Sequence, residues 1–455
     1  MFYTENCNLE YKGNDFIIFS SGQYLLTLDA AHPCIEDGAL LARDGRIAAI
    51  GTRTELAARH PGVRALHTPH GLIMPGLVNT HTHAAMALFR GLADDLPLME
   101  WLQDYIFPVE ATLTAHMVRV GALLSCCEMI RSGTTSFCDM YLFAEAVAQA
   151  TQQSGMRAWL GEAVYDFPSP CYGEPANGVR LTRDLIARFR QHPLIHGISV
   201  AHAVYTCSPD LLVQMAELAR QEDVLLALHL AENAEEDRSC RERYGNSPVQ
   251  HLERLGILGP KLLAAHCVTP DAADIRLLAR RGVKVAHCPQ SNMKLGSGIA
   301  PIDSFLKAGI CVSLGTDGSA SNNTVDMFAE MNVMAKIHKA RRCDPLQVTA
   351  EESLHAATLG GARALGAEAH IGSLQKGKAA DCIVVDMDQP HLTPLYNPVS
   401  QLVYAARGSD VLHSMVNGRL LMQDRKVLSL DEAGIMAEAR ALAGHFARVA
   451  KKRQA

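Results

Sequence analysis

Residues 72–83 read LIMPGLVNTHTH, an apolar run that ends in two histidines. Seven further apolar runs follow it with amphipathic segments between them, which is the pattern of alternating strands and helices. The eight runs begin at Leu72, Thr135, Arg157, Ile195, Val224, Leu262, Val283 and Cys311. Eight strand-and-helix units over roughly 250 residues predict an α/β fold of the TIM-type (β/α)₈ barrel class.

An open, doubly wound sheet would share the near-continuous hydrophobicity of these runs, because its parallel strands are also covered on both faces. Two features favour the barrel. The runs number eight, and several carry a histidine or an aspartate at the C-terminal end, where barrels build their active sites.

The segments between the runs carry helix signals. Ser208-Pro209 predicts a helix start before DLLVQMAELARQ, and Thr269-Pro270 predicts a helix that ends at Gly282. The last segment, DEAGIMAEARALAGHFARVAKK at residues 431–452, predicts a C-terminal helix.

Both ends of the chain read as β-structure. Alternating or strand-like apolar segments occupy residues 15–29, 38–51, 380–388 and 413–427. Asp44-Gly45 and Asn417-Gly418 are typical of two-residue hairpin turns. We therefore predict two domains. Residues 1–70 and 374–455 form a small β-sandwich domain that includes the C-terminal helix, and residues 71–373 form the barrel.

The composition of the 455 residues indicates which classes of binding partner are favoured. Lys and Arg number 42 against 48 Asp and Glu, so the net charge is −6 and no basic field favours nucleic acid. No stretch approaches the roughly 20 apolar residues that span a bilayer. The start, MFYTENCNLEYKGND, lacks the apolar core of a secretory signal, so we expect a cytoplasmic protein that binds a small molecule. The 13 cysteines include no C-x-x-C pair, which argues against disulfides and thiolate zinc.

His81 and His83 close the first run two positions apart, so both imidazoles point to the same side of a strand. An H-x-H pair alone is weak. However, His229, His266 and Asp317 close the fifth, sixth and eighth runs at the equivalent position. Nitrogen and oxygen ligands without thiolate suit Zn²⁺, with Fe²⁺ as the alternative. The five residues therefore predict one metal site at the barrel mouth.

Glu232 lies three residues beyond His229. A carboxylate beside a metal-activated water can take a proton from it and pass that proton to a leaving nitrogen. The alternative is a helix-start glutamate stabilised by the helix dipole.

MPGLVNTHTH, HLAE, AAHC and SLGTDGSASNN, in this order, resemble the amidohydrolase superfamily in its mononuclear-metal deaminase branch. Residues 80–110, 287–302 and 314–323 resemble the deaminases of 5′-methylthioadenosine and S-adenosylhomocysteine. Triazine hydrolases and other aminohydrolases look similar over the same segments. The resemblance covers about residues 16–427.

The resemblance implies that the metal ligands are His81, His83, His229 and Asp317. It makes Glu232 the proton shuttle that faces N1 of an adenine, and His266 the residue that orients the attacking hydroxide. Asp317 would also accept a proton from the water. Binuclear members use a carboxylated lysine on the fourth strand, whereas here that strand ends with His202 and contains no lysine, which favours one metal ion per subunit.

The resemblance also implies substrate contacts. Glu110 matches a residue that contacts ribose hydroxyls, His202 one on the sugar side, and Arg180 is a candidate for the family's arginine near the third barrel loop, where Glu162 stands. The residues alone favour a solvated Glu110, a strand-end His202 and an exposed helix Arg180. The long apolar segment between His83 and Glu110 predicts a substrate lid, in which Trp101 contacts the substrate or anchors the core.

The predicted reaction is hydrolytic deamination of an adenine nucleoside, 5′-methylthioadenosine, S-adenosylhomocysteine or adenosine, to the inosine analogue and ammonia. One rival is a hydrolase of the same type acting on guanine, a pterin, cytosine or a triazine. Another is a non-catalytic scaffold, which the complete ligand set disfavours. Base rates favour a homo-oligomer.

Overall fold

A closed ring of eight parallel strands forms the centre of the computed structural model, which describes residues 17–31 and 33–451. The bridge between Val164 and Ala201 joins the third strand to the fourth. Asp317–Gly318, which follows the eighth strand, pairs with the end of the first. In order, the barrel strands are Leu77–His83, Thr134–Tyr141, Arg157–Glu162, Ser199–Ala203, Leu226–Leu230, Leu262–His266, Lys284–His287 and Cys311–Leu314. The predicted barrel is confirmed.

The run that begins at Leu72 is divided between two sheets. Gly71–Pro75 pairs with the C-terminal strand Cys382–Asp386, and the first barrel strand begins only at Leu77. The break is at Gly76, whose N–H donates to Asp381 O at 3.1 Å and where a Cβ atom would lie 2.1 Å from Thr135 Oγ1. The expectation of one continuous barrel strand is therefore wrong. The domain limits at residues 70 and 373 stay a prediction.

Strands from both termini form the second part of the fold. A seven-stranded sheet has the order Lys426–Val427, Arg419–Gln423, Val411–Val416, Cys382–Asp386, Gly71–Pro75, Tyr24–Leu26 and Cys34–Glu36. A four-stranded sheet has the order Arg46–Thr52, Gly38–Arg43, Ile17–Ser21 and Arg64–Thr68. The two sheets share an apolar core that includes Leu40, Ile73 and Val384, as a β-sandwich requires.

The two predicted hairpin turns are present. Asp44 and Gly45 have φ of 51° and 76°, and Asn417 and Gly418 have φ of 49° and 75°. Positive φ at both positions is the geometry for which Asp-Gly and Asn-Gly are favoured. Residues 1–16, which include the MFYTENCNLEYKGND stretch predicted not to be a secretory signal, lie outside the described residues.

Helices surround the barrel, as the amphipathic segments predict. Ser208 caps Pro209–Gln221 as expected, but the next predicted start at Thr269-Pro270 is wrong, because Asp271 caps a helix that begins at Ala272. The α-helices are Arg53–Arg59, Leu98–Glu100, Phe107–Glu110, Ala115–Arg131, Ala144–Ser154, Pro175–Phe189, Pro209–Gln221, Ala234–Tyr244, Pro248–Arg254, Ala272–Arg281, Pro289–Lys294, Ile302–Lys307, Met327–Arg342, Ala350–Ala356, Leu359–Ala364, Pro398–Tyr404 and Glu432–Lys451. A π-helical turn, Trp101–Ile106, and the 3₁₀ turns Ala84–Phe89, Pro390–Leu392 and Gly408–Asp410 complete the helical structure described.

Within residues 17–31 and 33–451, no single helix is long and apolar enough to cross a membrane. One pair, Leu98–Glu110 with Ala115–Arg131, meets that criterion only when its two bent halves are taken together at 117°. Many of its apolar residues belong to the protein core.

Candidate active site

Histidine and aspartate side chains meet at the C-terminal ends of the barrel strands. His81, His229, His266 and Asp317 each place one potential ligand atom within 4.8 Å of the others, and all four are buried. His83 belongs to the same cluster, because its Nε2 lies 3.1 Å from Asp317 Oδ1 and 3.3 Å from His229 Nε2. The five predicted residues are therefore brought together.

The outer contacts of the imidazoles show what the cluster requires. His83 Nδ1 lies 2.6 Å from Met140 O, and His229 Nδ1 lies 2.8 Å from His202 O. A carbonyl only accepts, so each Nδ1 carries a proton and each Nε2 is directed inward. In the neutral form in which imidazole binds a metal, the two Nε2 lone pairs would lie 3.3 Å apart and would repel each other unless a cation lay between them.

Asp317 reinforces this requirement for positive charge. Although burial opposes it, contacts with His81 and His83 hold the pKa of Asp317 well below its usual range. His81 Nε2 lies 3.3 Å from Asp317 Oδ1, yet it is buried and has no hydrogen-bond partner. An ionised carboxylate surrounded by inward-facing imidazole nitrogens fits a divalent metal ion.

Neighbouring groups fix the orientation of these ligands. Asp317 Oδ2 accepts hydrogen bonds from Ser291 Oγ at 2.6 Å and Ser321 Oγ at 2.8 Å, whereas Oδ1 accepts the N–H of Gly318 at 2.8 Å and faces the imidazoles. His266 Nδ1 lies 2.9 Å from Asn292 Oδ1, which leaves its Nε2 for the cluster. Such outer partners set the tautomer and direction of metal ligands.

The backbone at the same strand ends is strained. Positive φ angles occur at Ala231 (52°), His266 (70°), Cys267 (47°) and Asp317 (62°). Residues other than glycine rarely adopt this region of backbone conformation. Strain of this kind concentrates at functional sites, where the surrounding structure imposes it.

Glu232 follows the fifth barrel strand and lines the same cavity as the cluster. It is only 4% exposed, and burial raises its pKa. Its backbone N–H donates to Glu236 Oε2 at 2.7 Å, and the N–H of Ala231 donates to Glu236 Oε1 at 3.1 Å. Glu236 therefore holds the strained turn that presents Glu232. The carboxyl of Glu232 faces the cavity, which favours the proton shuttle over the helix-start alternative.

The cavity is largely walled by apolar and aromatic side chains. The segment Leu98–Glu110 covers one side, as the lid prediction requires. Trp101 lines the cavity, and its Nε1–H donates to Ala93 O at 3.1 Å, so it is both a wall residue and an anchor. Described residues that line the cavity include Met86, Leu98, Trp101, Leu102, Ile106, Phe107, Glu110, Met140, Tyr141, Leu142, Tyr165, His202, Tyr205, Glu232 and Leu295.

The sequence profile of the amidohydrolase family matches residues 72–421. The chain belongs to the amidohydrolase family. A short second match, residues 38–62, is to the bacterial imidazolonepropionase-like composite domain. The family match spans the barrel and extends into strands of the seven-stranded sheet before and after it in the chain.

Relatives of this amidohydrolase cover most of its length. A 5-methylthioadenosine/S-adenosylhomocysteine deaminase of Syntrophobacter fumaroxidans is 53% identical over 92% of this chain and 96% of its own. A 5′-deoxyadenosine deaminase of Methanosarcina mazei is 45% identical over 93% and 96%. The crystal structure of an adenosine deaminase from Xanthomonas campestris with bound zinc is 37% identical, covers 94% of this chain and 98% of its own, and has a TM-score of 0.92.

Of three further residues predicted to contact the substrate, two line the cavity of the amidohydrolase and the third does not. Glu110 and His202 line it, and burial raises the pKa of Glu110 to about 7. Arg180 is exposed on Pro175–Phe189, whose buried face carries Thr182 and Leu185, and it does not line the cavity. This exposed position does not support the predicted contact of Arg180 with the substrate, which stays a prediction.

Glu162, at the third strand end, has a structural contact set. It is fully buried and accepts hydrogen bonds from the N–H groups of Phe143 and Ala144 at 3.1 and 2.8 Å. It therefore caps Ala144–Ser154 in the place where the family pattern has a basic residue.

Sequence reasoning missed several residues that shape the site: Glu236, Ser291, Asn292, Ser321 and Tyr141. Asn292 and Ser321 lie in the segments that carry the resemblance, HCPQSN and SLGTDGSASNN, which was the one available signal. Nothing in the pattern around Glu236 or Tyr141 separates them from ordinary buried residues.

Proposed function

We propose that this amidohydrolase removes the 6-amino group of an adenine nucleoside that carries an apolar 5′ substituent, giving the inosine analogue and ammonia. The observation that carries this proposal is the placement of buried Glu232 beside the His/Asp cluster, in a cavity whose lining is largely apolar and includes Glu110. The relatives named as deaminases of methylthioadenosine, S-adenosylhomocysteine and 5′-deoxyadenosine support it.

We infer that the metal is a single Zn²⁺ held by His81, His83, His229 and Asp317, with Fe²⁺ as the alternative. The donor set of imidazole nitrogens and a carboxylate oxygen, without thiolate, supports zinc. When bound, the metal supplies a water activated for attack on C6 and stabilises the charge that develops there.

The protein side chains move the protons. Glu232, whose pKa is raised by burial, donates a proton to N1 as the water oxygen adds to C6. Asp317 accepts a proton from that water, and His266 orients it through a ring fixed by Asn292. Transfer of a proton to the amino group and loss of ammonia restore the C6 carbonyl.

The chemistry of the cavity favours an uncharged 5′ substituent. Among the described residues that line it there is no lysine or arginine, so a phosphate or carboxylate would lack a counter-charge. Leu98, Trp101 and Phe107 instead offer apolar surface. We expect kcat/KM to be higher for 5′-methylthioadenosine and 5′-deoxyadenosine than for S-adenosylhomocysteine, because the substituent of S-adenosylhomocysteine ends in charged groups.

Ammonia release from one substrate panel tests the proposal. Metal-loaded protein receives 5′-methylthioadenosine, 5′-deoxyadenosine, adenosine, S-adenosylhomocysteine, AMP, adenine, guanine, cytosine, a pterin and a triazine. The two apolar nucleosides should have the highest kcat/KM. Faster turnover of a free base or of the triazine would overturn the assignment, since such a substrate has no use for Glu110.

Trp101→Ala gives a matched comparison within the same panel. We expect it to reduce kcat/KM for methylthioadenosine far more than for adenosine, which lacks the methylthio group; equal losses would show that Trp101 does not contact the 5′ substituent.

Metal analysis of the purified protein tests the zinc assignment, and the mass of the protein in solution tests the expected homo-oligomer. The cytoplasmic location and the lack of nucleic-acid or membrane partners also stay predictions.

A further inference from the structure

Tyr141 ends the second barrel strand and has an unsatisfied hydroxyl. The residue is only 4% exposed and lines the cavity, yet its hydroxyl has no hydrogen-bond partner. Buried hydroxyls are hydrogen-bonded in the great majority of cases, because leaving one unpaired is costly. An exception on the wall of a substrate cavity indicates a partner that arrives with the ligand.

The position of Tyr141 indicates which part of the ligand this is. Its ring centroid lies 5.9 Å from that of His83, so it is next to the metal cluster. Its hydroxyl also faces the carboxyl of Glu110, and this side-chain contact opposes the effect of burial on the pKa of Glu110, although the contact does not have hydrogen-bond geometry. A hydroxyl and a carboxyl from different elements thus border one region of the cavity.

We propose that Tyr141 is a substrate-binding residue whose hydroxyl, beside the carboxylate of Glu110, binds the vicinal hydroxyls of a ribose. The carboxyl group of Glu110, with a pKa of about 7, accepts hydrogen bonds in its ionised form, and a phenol both donates and accepts them. The pair therefore matches a diol, in which each hydroxyl also does both. This inference rests on the proposed function, since a free base would leave both groups unpaired.

Stability provides the first test. Tyr141→Phe removes a hydroxyl that has no partner in the protein, so the thermal midpoint of the metal-loaded variant should stay equal or rise. The matched control is Tyr172→Phe, because the Tyr172 hydroxyl is hydrogen-bonded, donating to Ala163 O at 3.2 Å. Its midpoint should fall. A Tyr141→Phe variant that is destabilised, or that does not fold, would mean that the hydroxyl is structural and would overturn the proposal.

Selectivity provides the second test, with kcat/KM for adenosine, 2′-deoxyadenosine and 3′-deoxyadenosine. Tyr141→Phe should lower the value for adenosine about tenfold. The kcat/KM for the deoxy analogue that lacks the hydroxyl contacted by Tyr141 should change little. The ratio of kcat/KM for adenosine to that for this analogue should therefore fall about tenfold. Tyr172→Phe should leave the ratio unchanged. An unaltered ratio in Tyr141→Phe would overturn the proposal.

Binding of the products separates this proposal from the proposed deamination. Calorimetry with inosine, 2′-deoxyinosine and 3′-deoxyinosine reports the same contact without turnover. If the protein binds these nucleosides but releases no ammonia from adenosine, the deaminase assignment fails while the affinity ratio still decides the role of Tyr141. Absence of both nucleoside binding and ammonia release would overturn both.

Discussion

The two ends of the barrel treat buried charge in opposite ways. At the N-terminal end, Arg157 donates to both oxygens of Asp381, at 2.9 and 3.2 Å, and ties the barrel to the seven-stranded sheet. At the C-terminal end, imidazole nitrogens converge on Asp317, and His81 Nε2 has no hydrogen-bond partner. The barrel thus carries a closed ion pair at one end and an open ligand set at the other. Substitutions at the two ends should therefore separate stability from activity.

The largest effect is expected at the open end. Asp317→Asn removes the charge that balances the metal, so metal content should fall from one ion per chain to near zero. Deaminase activity should drop on the order of 10⁴-fold, because the lost stabilisation is several kcal/mol. Metal analysis and ammonia release measure the two effects. A variant that keeps both its metal and its turnover would show that the cluster is not the catalytic centre.

Glu232→Gln separates proton transfer from metal binding at the same end. The amide is nearly isosteric but cannot carry the proton to N1, so kcat should fall about 10²–10⁴-fold while the metal content stays unchanged. Steady-state kinetics with metal analysis on the same sample test this. Retention of most of the activity would remove Glu232 from the proton pathway.

Arg157→Met probes the closed end. It leaves the Asp381 carboxylate buried without its counter-charge, which should lower the free energy of unfolding by about 3–5 kcal/mol. The turnover of the folded protein should not change. Denaturant unfolding followed by kinetics below the transition measures both. The double variant Arg157→Met/Asp381→Leu is the control and should recover part of the stability. A loss of kcat without a loss of stability would contradict the purely structural role of Arg157 at the N-terminal end of the barrel.

The sequence predicted the barrel because its signal is local. Strands covered on both faces produce apolar runs that stand out without knowledge of their partners. The break at Gly76 was missed because it depends on Asp381 and Thr135, which lie far along the chain. The helix start at Asp271 was misplaced because Thr269-Pro270 offered a competing signal two residues earlier.

The site shows the same division. His81, His229 and Asp317 could be placed together because the C-terminal ends of barrel strands meet in space. Glu236 could not be found, since its role depends on two N–H groups in the turn before its helix. The substrate contact of Arg180 stays a prediction, because a helix position does not by itself show which face meets the cavity.

Glu236→Gln tests whether the hydrogen bonds of Glu236 to the turn at Ala231 and Glu232 position the catalytic carboxyl of Glu232. The carboxylate accepts two adjacent N–H groups, whereas an amide would turn an NH₂ group toward one of them, so Glu232 should shift and kcat fall about 10–100-fold. Glu162→Gln is the matched control, because Glu162 also accepts two adjacent N–H groups but does not hold Glu232. It should lower stability comparably with little change in kcat. Equal kcat losses in both variants would contradict a specific role for Glu236.

The smallest effect is a pH dependence of stability at Glu110. Burial raises its pKa from 4.5 to about 7 in the folded protein. Between these values the unfolded chain has released a proton that the folded protein retains, so wild-type stability falls as pH rises. Glu110→Gln lacks this loss. Its thermal midpoint relative to wild type should therefore rise by about 1–3 °C between pH 5 and pH 8. A difference that stays constant across this range would show that Glu110 ionises as freely in the cavity as in water.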